Sequence, residues 1–316
     1  MTIKKIYILD AFHEAGIALA RQHAQVVCWP DPATKNWPEE ADGVMTRMTP
    51  ITAEQLARAK HVKVICKQGV GYDTIDLAAA QRHGIPISRT PGVNSEAVAE
   101  MAFALALSVT RRVTRFDRML RAGDEIVRPQ NLAIQMQGKT VGIVGMGNIG
   151  TRVARKWLGA FDAKILAYDP HAPAMAWADL PHTRVHSLAA MLPLVDLLTL
   201  HLPLTPESRY MVGAPELALM KPDAVLVNVS RGGLVDEQAL YLSLASGHLF
   251  GAGLDVFEVE PPPADHPLLS LPNFVATPHA AGGTFETQER SSLQVAQQVI
   301  DVLHGLPVAH RVSFPQ

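Results

Sequence analysis

The sequence predicts an α/β fold in which helices cover both faces of parallel sheets, and three observations lead to this expectation. Short apolar, β-branched runs alternate with helical patterns along most of the 316 residues. A break at Thr90-Pro91-Gly92 divides this alternation into two series. The second series opens with a strand, a glycine-rich turn and a helix. Such alternation is typical of parallel sheets, because parallel neighbours need a crossover connection.

The first series contains five short apolar runs, and each is predicted to be a buried strand. Helical patterns lie between them at 12–22 and 77–82, and Gly84 is placed to end the second of these helices. Thr52 is a good N-cap for a third helix. The predicted strands are 6–9, 26–29, 44–46, 62–66 and 85–88.

A long helix is predicted directly after the break. It begins at Asn94 or Ser95, runs to about residue 122, and has Gly123 as its C-cap. Its centre, residues 102–107, is apolar on nearly every side, so much of it should be buried. The second series follows, with predicted strands at 140–144, 165–168, 197–200, 225–229, 250–255 and 274–276 and a last helix at 284–304.

Composition and charge exclude several classes of protein. Hydrophobic residues make up 48% of the chain and charged residues 18%, which is not the composition of a disordered protein. A net charge of -2 offers no general attraction to nucleic acid or to an anionic membrane. No apolar stretch is long enough for a signal peptide or a membrane span, so we expect a cytoplasmic protein. Cys28 and Cys66 lack metal or redox spacing and are expected to be buried thiols.

The turn after the strand at 140–144 carries the pattern of a dinucleotide-binding motif. It reads Gly145-Met146-Gly147-Asn148-Ile149-Gly150, and a helical pattern follows from Asn148. The first glycine allows the tight turn, the second lets the backbone approach a pyrophosphate, and the third lets helix and strand pack closely. Free N–H groups at the helix N-terminus would bind the phosphates. The motif predicts a Rossmann-type domain, and a glycine turn in a cofactor-free α/β protein is the alternative.

Asp169 indicates which dinucleotide is bound. It lies 19 residues after Gly150, at the end of the next predicted strand. A carboxylate there accepts hydrogen bonds from the ribose hydroxyls and repels a 2′-phosphate. Residues 170–173 contain no Arg or Lys that would bind such a phosphate. We therefore predict NAD as the cofactor in preference to NADP.

Four further stretches resemble a known family. They are residues 67–76, 227–236, 251–261 and 276–279. In this order and spacing they resemble the D-isomer-specific 2-hydroxyacid dehydrogenases, above all the phosphoglycerate dehydrogenase and glyoxylate or hydroxypyruvate reductase branch. The resemblance covers nearly the whole chain. It implies a flavodoxin-like α/β substrate domain at 1–93 and 285–316, a Rossmann-type NAD domain at 94–284, and a homodimer formed through the long helix after Asn94.

The resemblance assigns three catalytic residues, which are Arg231, Glu260 and His279. Reduction of a 2-oxo acid to its D-2-hydroxy acid requires a hydride, which the nicotinamide supplies, and a proton for the oxygen on C2. A histidine is suited to exchange that proton because the unperturbed pKa of its side chain, about 6.5, lies near working pH. Glu260 would orient the ring, and the guanidinium of Arg231 would bind the substrate carboxylate and carbonyl oxygen.

Each of these residues alone has a simpler explanation. A histidine after a proline is commonly packed or exposed without a catalytic role, Arg231 stands in a sequence typical of a turn, and Glu260 precedes three prolines. All three, however, follow successive predicted strands at their carboxyl ends, where α/β sheets bind ligands. Their combination therefore favours the catalytic interpretation.

Further cofactor contacts are expected near two of these strands. His201 and Pro203 follow the strand at 197–200 and should line the dinucleotide. The resemblance assigns Asp255 to the nicotinamide carboxamide, and a loop or helix cap is the alternative for this residue.

Substrate-binding residues are expected in the first series. The turn Gly69-Val70-Gly71 would present backbone N–H groups to a substrate carboxylate, unless it is only a turn that ends a strand. Asn94 is a second candidate, although N-capping of the long helix explains it equally well. Arg47 and Lys67 together would bind a second anionic group such as a phosphate, unless they are solvated or paired within the structure.

Other chemistries have less support. His182 and His186 have the spacing of a helical metal site, but their helical context is poor, so no metal is predicted. Ser230 lacks the Gly-x-Ser-x-Gly motif of a serine hydrolase. The alternative function is an NAD-sensing, corepressor-like binding protein on the same fold, and a third is oxidation of another substrate such as formate. The three catalytic candidates favour an enzyme acting on a 2-oxo or 2-hydroxy acid.

Overall fold

The computed structural model describes residues 3–173 and 175–313 of the chain. They divide into two compact units. The first unit contains the described residues up to Asn94 and from Gly283 onward, and the second unit is Ser95–Gly282. Each unit has a parallel sheet of its own.

The elements of the two units follow one another in chain order. Those of the first unit before Asn94 are β1 (Lys5–Ile8), α1 (Glu14–Arg21), β2 (Gln25–Cys28), α2 (Trp37–Glu40), β3 (Gly43–Thr46), α3 (Ala53–Arg58), β4 (Val64–Lys67), α4 (Leu77–Arg82) and β5 (Ile87–Arg89). Those of the second unit are α5 (Ser95–Thr110), α6 (Val113–Ala122), β6 (Thr140–Val144), α7 (Asn148–Phe161), β7 (Lys164–Tyr168), β8 (Thr183–Arg184), α8 (Leu188–Met191), β9 (Leu197–Leu200), α9 (Ala214–Leu219), β10 (Val225–Asn228), α10 (Glu237–Ala245), β11 (Gly251–Leu254) and β12 (Phe274–Ala276). The chain then returns to the first unit with α11 (Phe285–Leu303).

The sheet of the first unit has the strand order β2-β1-β3-β4-β5, with all strands parallel. This is the order of flavodoxin-like folds. Alternate residues of β1 face opposite sides of the sheet, as the strand period requires. Ile6 and Ile8 pack against α11 at Val295 and Val299, whereas Tyr7 lies in the cluster on the other side. Helices therefore cover both faces of this sheet.

The sheet of the second unit has the strand order β12-β11-β10-β9-β6-β7-β8, again with all strands parallel. Counted from β6, the order corresponds to the doubly wound Rossmann arrangement with one additional strand. The chain adds β7 and β8 on one side of β6 and then crosses to β9 on the other side, so the carboxyl ends of β6 and β9 border a crevice. The predicted fold class, a Rossmann-type domain plus a flavodoxin-like domain, is confirmed.

One predicted element is wrong in its extent. The single helix expected from residue 94 or 95 to 122 is two helices, because Arg112 adopts a left-handed backbone conformation with φ 55° between α5 and α6. Its guanidinium donates to the carbonyl of Leu132 at 2.7 Å and lies 4.4 Å from the ring centroid of Phe250. These tertiary contacts hold the break. Gly123, with φ 75°, is the C-cap of α6 as predicted.

The remaining boundaries lie close to the predicted ones. Every predicted strand is present with its ends shifted by no more than two residues, and the capping box of Thr52 and Gln55 opens α3. The two-residue strand β8 was not predicted. Cys66 is buried, as expected, whereas Cys28 is half-buried. Within 3–173 and 175–313, each helix is too short or too polar to cross a lipid bilayer.

Candidate active site

The glycine motif occupies the connection between β6 and α7. Gly145 has φ 81°, and a Cβ atom there would lie 2.5 Å from the carbonyl oxygen of His201. A Cβ at Gly150 would lie 2.2 Å from the carbonyl oxygen of Gly145. A Cβ at Gly147 would meet nothing within 4 Å. The first and third glycines are therefore required by packing, and the second leaves open space in which a pyrophosphate can approach the backbone.

The first turn of α7 supplies donors for that pyrophosphate. Asn148 and Ile149 begin the helix directly after Gly147, the N-cap residue, which has no side chain to satisfy the first amides. Main-chain N–H groups at a helix N-terminus and the positive end of the helix dipole favour an anion. Together with the open space at Gly147, these residues fit the diphosphate of a dinucleotide.

Asp169 stands directly after β7 and is tied to the glycine turn. Its carboxylate accepts hydrogen bonds from the amide of Met146 at 3.2 Å and from the amide of His171 at 3.1 Å. It lines a groove on the second unit together with Pro170, Arg184 and Val185. A carboxylate beside an apolar-walled groove and next to the glycine turn fits a ribose and its base.

His201 lies at the carboxyl end of β9 and is buried beneath the glycine turn. Burial lowers the pKa of its imidazole to about 3, so the ring is neutral. Its Nε2 lies 2.9 Å from the Thr199 hydroxyl, and its Nδ1 is buried without a hydrogen-bond partner among the described residues. Nearby, the carbonyl of Pro203 accepts a hydrogen bond from the Ser208 hydroxyl at 2.9 Å.

The buried imidazole of His201 makes stability depend on pH. In the unfolded chain this histidine binds a proton below about pH 6.5, whereas in the folded chain it does so only below about pH 3. Between these values the unfolded state binds the extra proton, so the free energy of unfolding falls on acidification, by up to about 1.4 kcal/mol per pH unit. We expect the urea midpoint of His201→Gln to fall less steeply than that of the wild type between about pH 6 and 4. Equal slopes would contradict this prediction.

Asp255 is the fully buried residue that follows β11. Its carboxylate accepts hydrogen bonds from the Thr277 hydroxyl and, at 2.9 Å each, from the amides of Ala280 and Ala281. Its carbonyl accepts the amide of His279 at 2.7 Å. Asp255 thus caps the loop after β12, in agreement with the alternative stated for it, and its contact with a nicotinamide carboxamide stays a prediction.

His279 and Glu260 form a hydrogen-bonded pair. The Nδ1 atom of His279 lies 2.7 Å from Oε2 of Glu260, and the other carboxylate oxygen accepts the amide of Phe257 at 3.0 Å. Burial raises the pKa of the Glu260 carboxyl, but these two hydrogen bonds and the charges of His279 and Arg231 outweigh burial, so the pKa lies below its ordinary value. The His279 side chain is 41% exposed.

Arg231 lies in the turn after β10 and faces the same carboxylate. Its Nη1 donates to the carbonyl of Ser230 at 2.6 Å, and its own carbonyl accepts from the Asn228 side chain at 2.8 Å. A Cβ at Gly232 would lie 1.9 Å from the carbonyl of Phe257, so only glycine lets this turn pack against the segment that leads to Glu260. The structure therefore brings Arg231, Glu260 and His279 together at the carboxyl ends of the adjacent strands β10, β11 and β12.

The predicted substrate residues lie in the first unit. Lys67 is buried at the end of β4, and its ammonium donates to the carbonyl of Arg47, whose amide in turn donates to Asp10 at 2.6 Å. The turn that contains Val70 and Gly71 begins at Gly69, whose amide is bonded to the Thr90 hydroxyl at 2.8 Å. Asn94 ends this part of the unit, and its Oδ1 is buried without a partner among residues 3–173 and 175–313.

The histidine pair considered for a metal lies outside any helix. His182 and His186 flank the edge strand β8, and Nδ1 of His182 lies 2.7 Å from the carbonyl of Leu180. Among the described residues, no group of three or more His, Cys, Asp or Glu side chains is arranged to hold a metal ion.

Comparison with known proteins places these features in context. The family model of the D-isomer specific 2-hydroxyacid dehydrogenase NAD binding domain matches residues 103–281. A glyoxylate reductase of Korarchaeum cryptofilum is 38% identical over 95% of this chain and 93% of its own length. A D-3-phosphoglycerate dehydrogenase of Methanocaldococcus jannaschii is 37% identical over 98% of this chain, which spans 60% of that relative. The crystal structure of the TT0316 protein from Thermus thermophilus is 36% identical, with a TM-score of 0.88 and coverage of 98% of this chain and all of the other.

Proposed function

The chain belongs to the D-isomer specific 2-hydroxyacid dehydrogenase family, whose cofactor is NAD, and from that premise we propose that it interconverts a small 2-oxo acid and its D-2-hydroxy acid. The observation that carries the proposal is the hydrogen bond of 2.7 Å between His279 and Glu260, with Arg231 close by. Binding NAD alone does not require a hydrogen-bonded histidine–glutamate pair next to an arginine, so an enzyme is favoured over an NAD-sensing binding protein.

The residues around the glycine turn would hold the cofactor. Gly147 and the amides of Asn148 and Ile149 suit the diphosphate, and the Asp169 carboxylate suits the hydroxyls of a ribose. When bound, NADH would supply the hydride for reduction and NAD⁺ would accept it in the reverse direction. His201 and Pro203 lie at the carboxyl end of the next strand, where they would line the same molecule.

His279 would exchange the proton that accompanies the hydride. Its Nδ1 is engaged by Glu260, so Nε2 is the nitrogen that can donate to the oxygen on C2 during reduction and accept that proton during oxidation. The lowered pKa of Glu260 keeps this carboxylate ionised at neutral pH, so it can accept a hydrogen bond from the Nδ1–H group of the ring. The ring therefore has a fixed orientation.

Arg231 would bind and polarise the substrate. A guanidinium presents parallel N–H donors that match a carboxylate and an adjacent carbonyl oxygen. The same group stabilises the negative charge that develops on that oxygen as the hydride arrives. The packing of Gly232 against Phe257 fixes the backbone turn that carries Arg231.

The nature of the substrate beyond the 2-oxo acid group is a separate proposal. The turn with Val70 and Gly71, together with Asn94, would bind the carboxylate. Arg47 and Lys67 would bind a second anion if the buried Lys67 ammonium exchanged its hydrogen bond to the Arg47 carbonyl for one to that anion. A phosphate on the substrate is consistent with the similarity to a phosphoglycerate dehydrogenase, whereas the similarity to a glyoxylate reductase favours a smaller 2-oxo acid.

A panel of 2-oxo acids tests the proposed function. We expect NADH consumption, followed by absorbance, with at least one of glyoxylate, hydroxypyruvate and 3-phosphohydroxypyruvate. If the phosphorylated acid is preferred, Arg47→Ala and Lys67→Ala should each remove that preference. Unchanged preference would exclude the pair as the second-anion site, and no reaction with any 2-oxo acid would contradict the function itself.

The cofactor preference gives a second prediction. Replacing Asp169 by Asn keeps an acceptor near Met146 but removes the charge that repels a 2′-phosphate, so the ratio of kcat/KM for NADH over NADPH should fall by about tenfold or more. Asp179→Asn is the matched control, because Asp179 is an exposed carboxylate of the same unit that pairs with Arg155. An unaltered ratio in Asp169→Asn would contradict the ribose contact.

We also propose that the protein forms a homodimer through the region of α5 and α6. Helix α6 exposes Val113 and Leu120, and Leu132 is exposed in the segment that follows it. Exposed apolar side chains that lie near one another are typical of surfaces that associate.

A further inference from the structure

We propose that Trp177 and Arg184 form a brace that positions Asp169 over the glycine turn and so contributes to NAD binding and to its preference over NADP. Both are positioning residues, since they would act through Asp169. The inference rests on the proposed role of Asp169 in holding the ribose. Neither residue belongs to the glycine motif or to the segment directly after Asp169.

Arg184 holds the loop that carries Asp169. From the edge strand β8, its guanidinium donates to the carbonyls of Asp169 at 3.1 Å and of Pro173 at 2.8 Å, and also to the carbonyl of Ala172. Guanidinium donors are arranged in a rigid, planar fork, so one side chain can fix several carbonyls at once. These hydrogen bonds join three carbonyls of the loop after β7 to one side chain, next to the groove that Asp169 lines.

Trp177 connects this loop to the glycine turn. Its indole N–H donates to the carbonyl of Met146 at 2.7 Å, and the guanidinium of Arg184 lies 5.1 Å from the centroid of its ring, within the range of a cation–π contact. The amide of Met146 in turn donates to the Asp169 carboxylate at 3.2 Å. The contacts therefore form a closed ring that runs from Asp169 through Arg184, Trp177 and Met146 back to Asp169.

The backbone of Trp177 supports a positioning role. Its φ of 65° lies in the left-handed region, which a bulky side chain rarely adopts. Such conformations persist where the surrounding contacts determine them, and they concentrate at ligand sites. Here the surrounding contacts are the indole hydrogen bond, the guanidinium of Arg184 and the ring of His182, which packs edge-on at 5.5 Å.

A basic residue beside Asp169 has a second interpretation, which the same variants test. Arg184 lines the same groove as Asp169, and its guanidinium would be a ligand of a 2′-phosphate if the charge faced the cofactor. Its hydrogen bonds to three carbonyls instead favour a role in holding the loop. The two interpretations predict opposite changes in selectivity when the guanidinium is removed.

Calorimetric titration of the substrate-free protein with NADH and with NADPH distinguishes them. For Arg184→Met we expect the Kd for NADH to rise by about tenfold and that for NADPH to change less, while kcat at saturating NADH stays within about threefold of the wild type. Trp177→Phe, which keeps a ring but removes the N–H, should raise the same Kd by a smaller factor. Arg21→Met is the matched control, since Arg21 is an exposed arginine of the first unit that pairs with Glu14 at 2.9 Å, and the Kd values of this variant should be unchanged.

Three results would contradict the brace, the role of Arg184 or the proposed function. Unchanged NADH affinity in both Arg184→Met and Trp177→Phe would overturn the brace, and a larger loss for NADPH than for NADH would make Arg184 a phosphate ligand. If Arg184→Met fails to fold, as judged by its thermal transition, Trp177→Phe alone decides. A wild-type protein that binds no NADH would instead contradict the proposed function.

Discussion

Replacement of His279 by alanine is expected to lower kcat for reduction of a 2-oxo acid by about 10²- to 10⁴-fold, while NADH still binds. In the proposed reaction the imidazole gives a proton to the developing alkoxide, and its 2.7 Å hydrogen bond to Glu260 leaves Nε2 as the nitrogen that would do so. The glycine turn and Asp169 do not depend on this side chain. Steady-state rates and an NADH titration of the same preparation separate the two effects.

Two further variants make this result specific. His61→Ala replaces an exposed histidine of the first unit and should leave kcat near the wild-type value. Glu260→Gln keeps the shape of the partner of His279 but removes its charge, so kcat should fall by a smaller factor than in His279→Ala. Activity of His279→Ala close to that of the wild type would exclude the imidazole as the acid and base.

Replacement of Arg231 by alanine is expected to lower kcat/KM for the 2-oxo acid by about 10²- to 10⁴-fold, with both kcat and KM affected. Hydrogen bonds from a charged donor each contribute about 1.5–3 kcal/mol, and the guanidinium is proposed to make them to the carboxylate and to the developing alkoxide. Arg231→Lys should recover only a small part of the loss, because an ammonium cannot provide the planar fork. Initial rates over a range of 2-oxo acid concentrations give both parameters.

The control for Arg231 is an arginine of the same unit that lies away from the proposed catalytic residues. Arg155→Ala should leave kcat/KM for the 2-oxo acid unchanged, since this side chain pairs with Asp179 on the surface. If Arg231→Ala changed KM for NADH but not for the 2-oxo acid, the guanidinium would belong to the cofactor site and the proposed role would be wrong.

Most of the fold could be predicted because its signals are local. The strands Thr140–Val144, Leu197–Leu200 and Phe274–Ala276 coincide with the predicted ranges, since each is an apolar run bounded by polar residues or turns. The break between α5 and α6 could not be predicted in this way. It depends on contacts of Arg112 with Leu132 and Phe250, which are distant in sequence. Strand β8 has only two residues and no periodic pattern at all.

The same distinction applies to the site. The glycines and Asp169 could be selected from the sequence because they stand within a motif next to predicted strands, and the three catalytic candidates because the resemblance to the family assigns them. Arg184 could not, since it meets Asp169 from 15 residues away along the chain. Residues 170–173 contain no Arg or Lys, but the fold places the guanidinium of Arg184 on the loop that carries Asp169.

The return of the chain to the first unit has a consequence for biosynthesis. Ile6, Ile8 and Met45 are covered by Val295 and Val299 of α11, which the ribosome produces only after all of Ser95–Gly282. At typical rates of elongation this delay is on the order of 10 to 40 s. During that time one face of the five-stranded sheet of the nascent protein lacks its cover, whereas the second unit is synthesised without interruption. We expect the second unit to mature first, and the early N-terminal segment to be the part most dependent on chaperones.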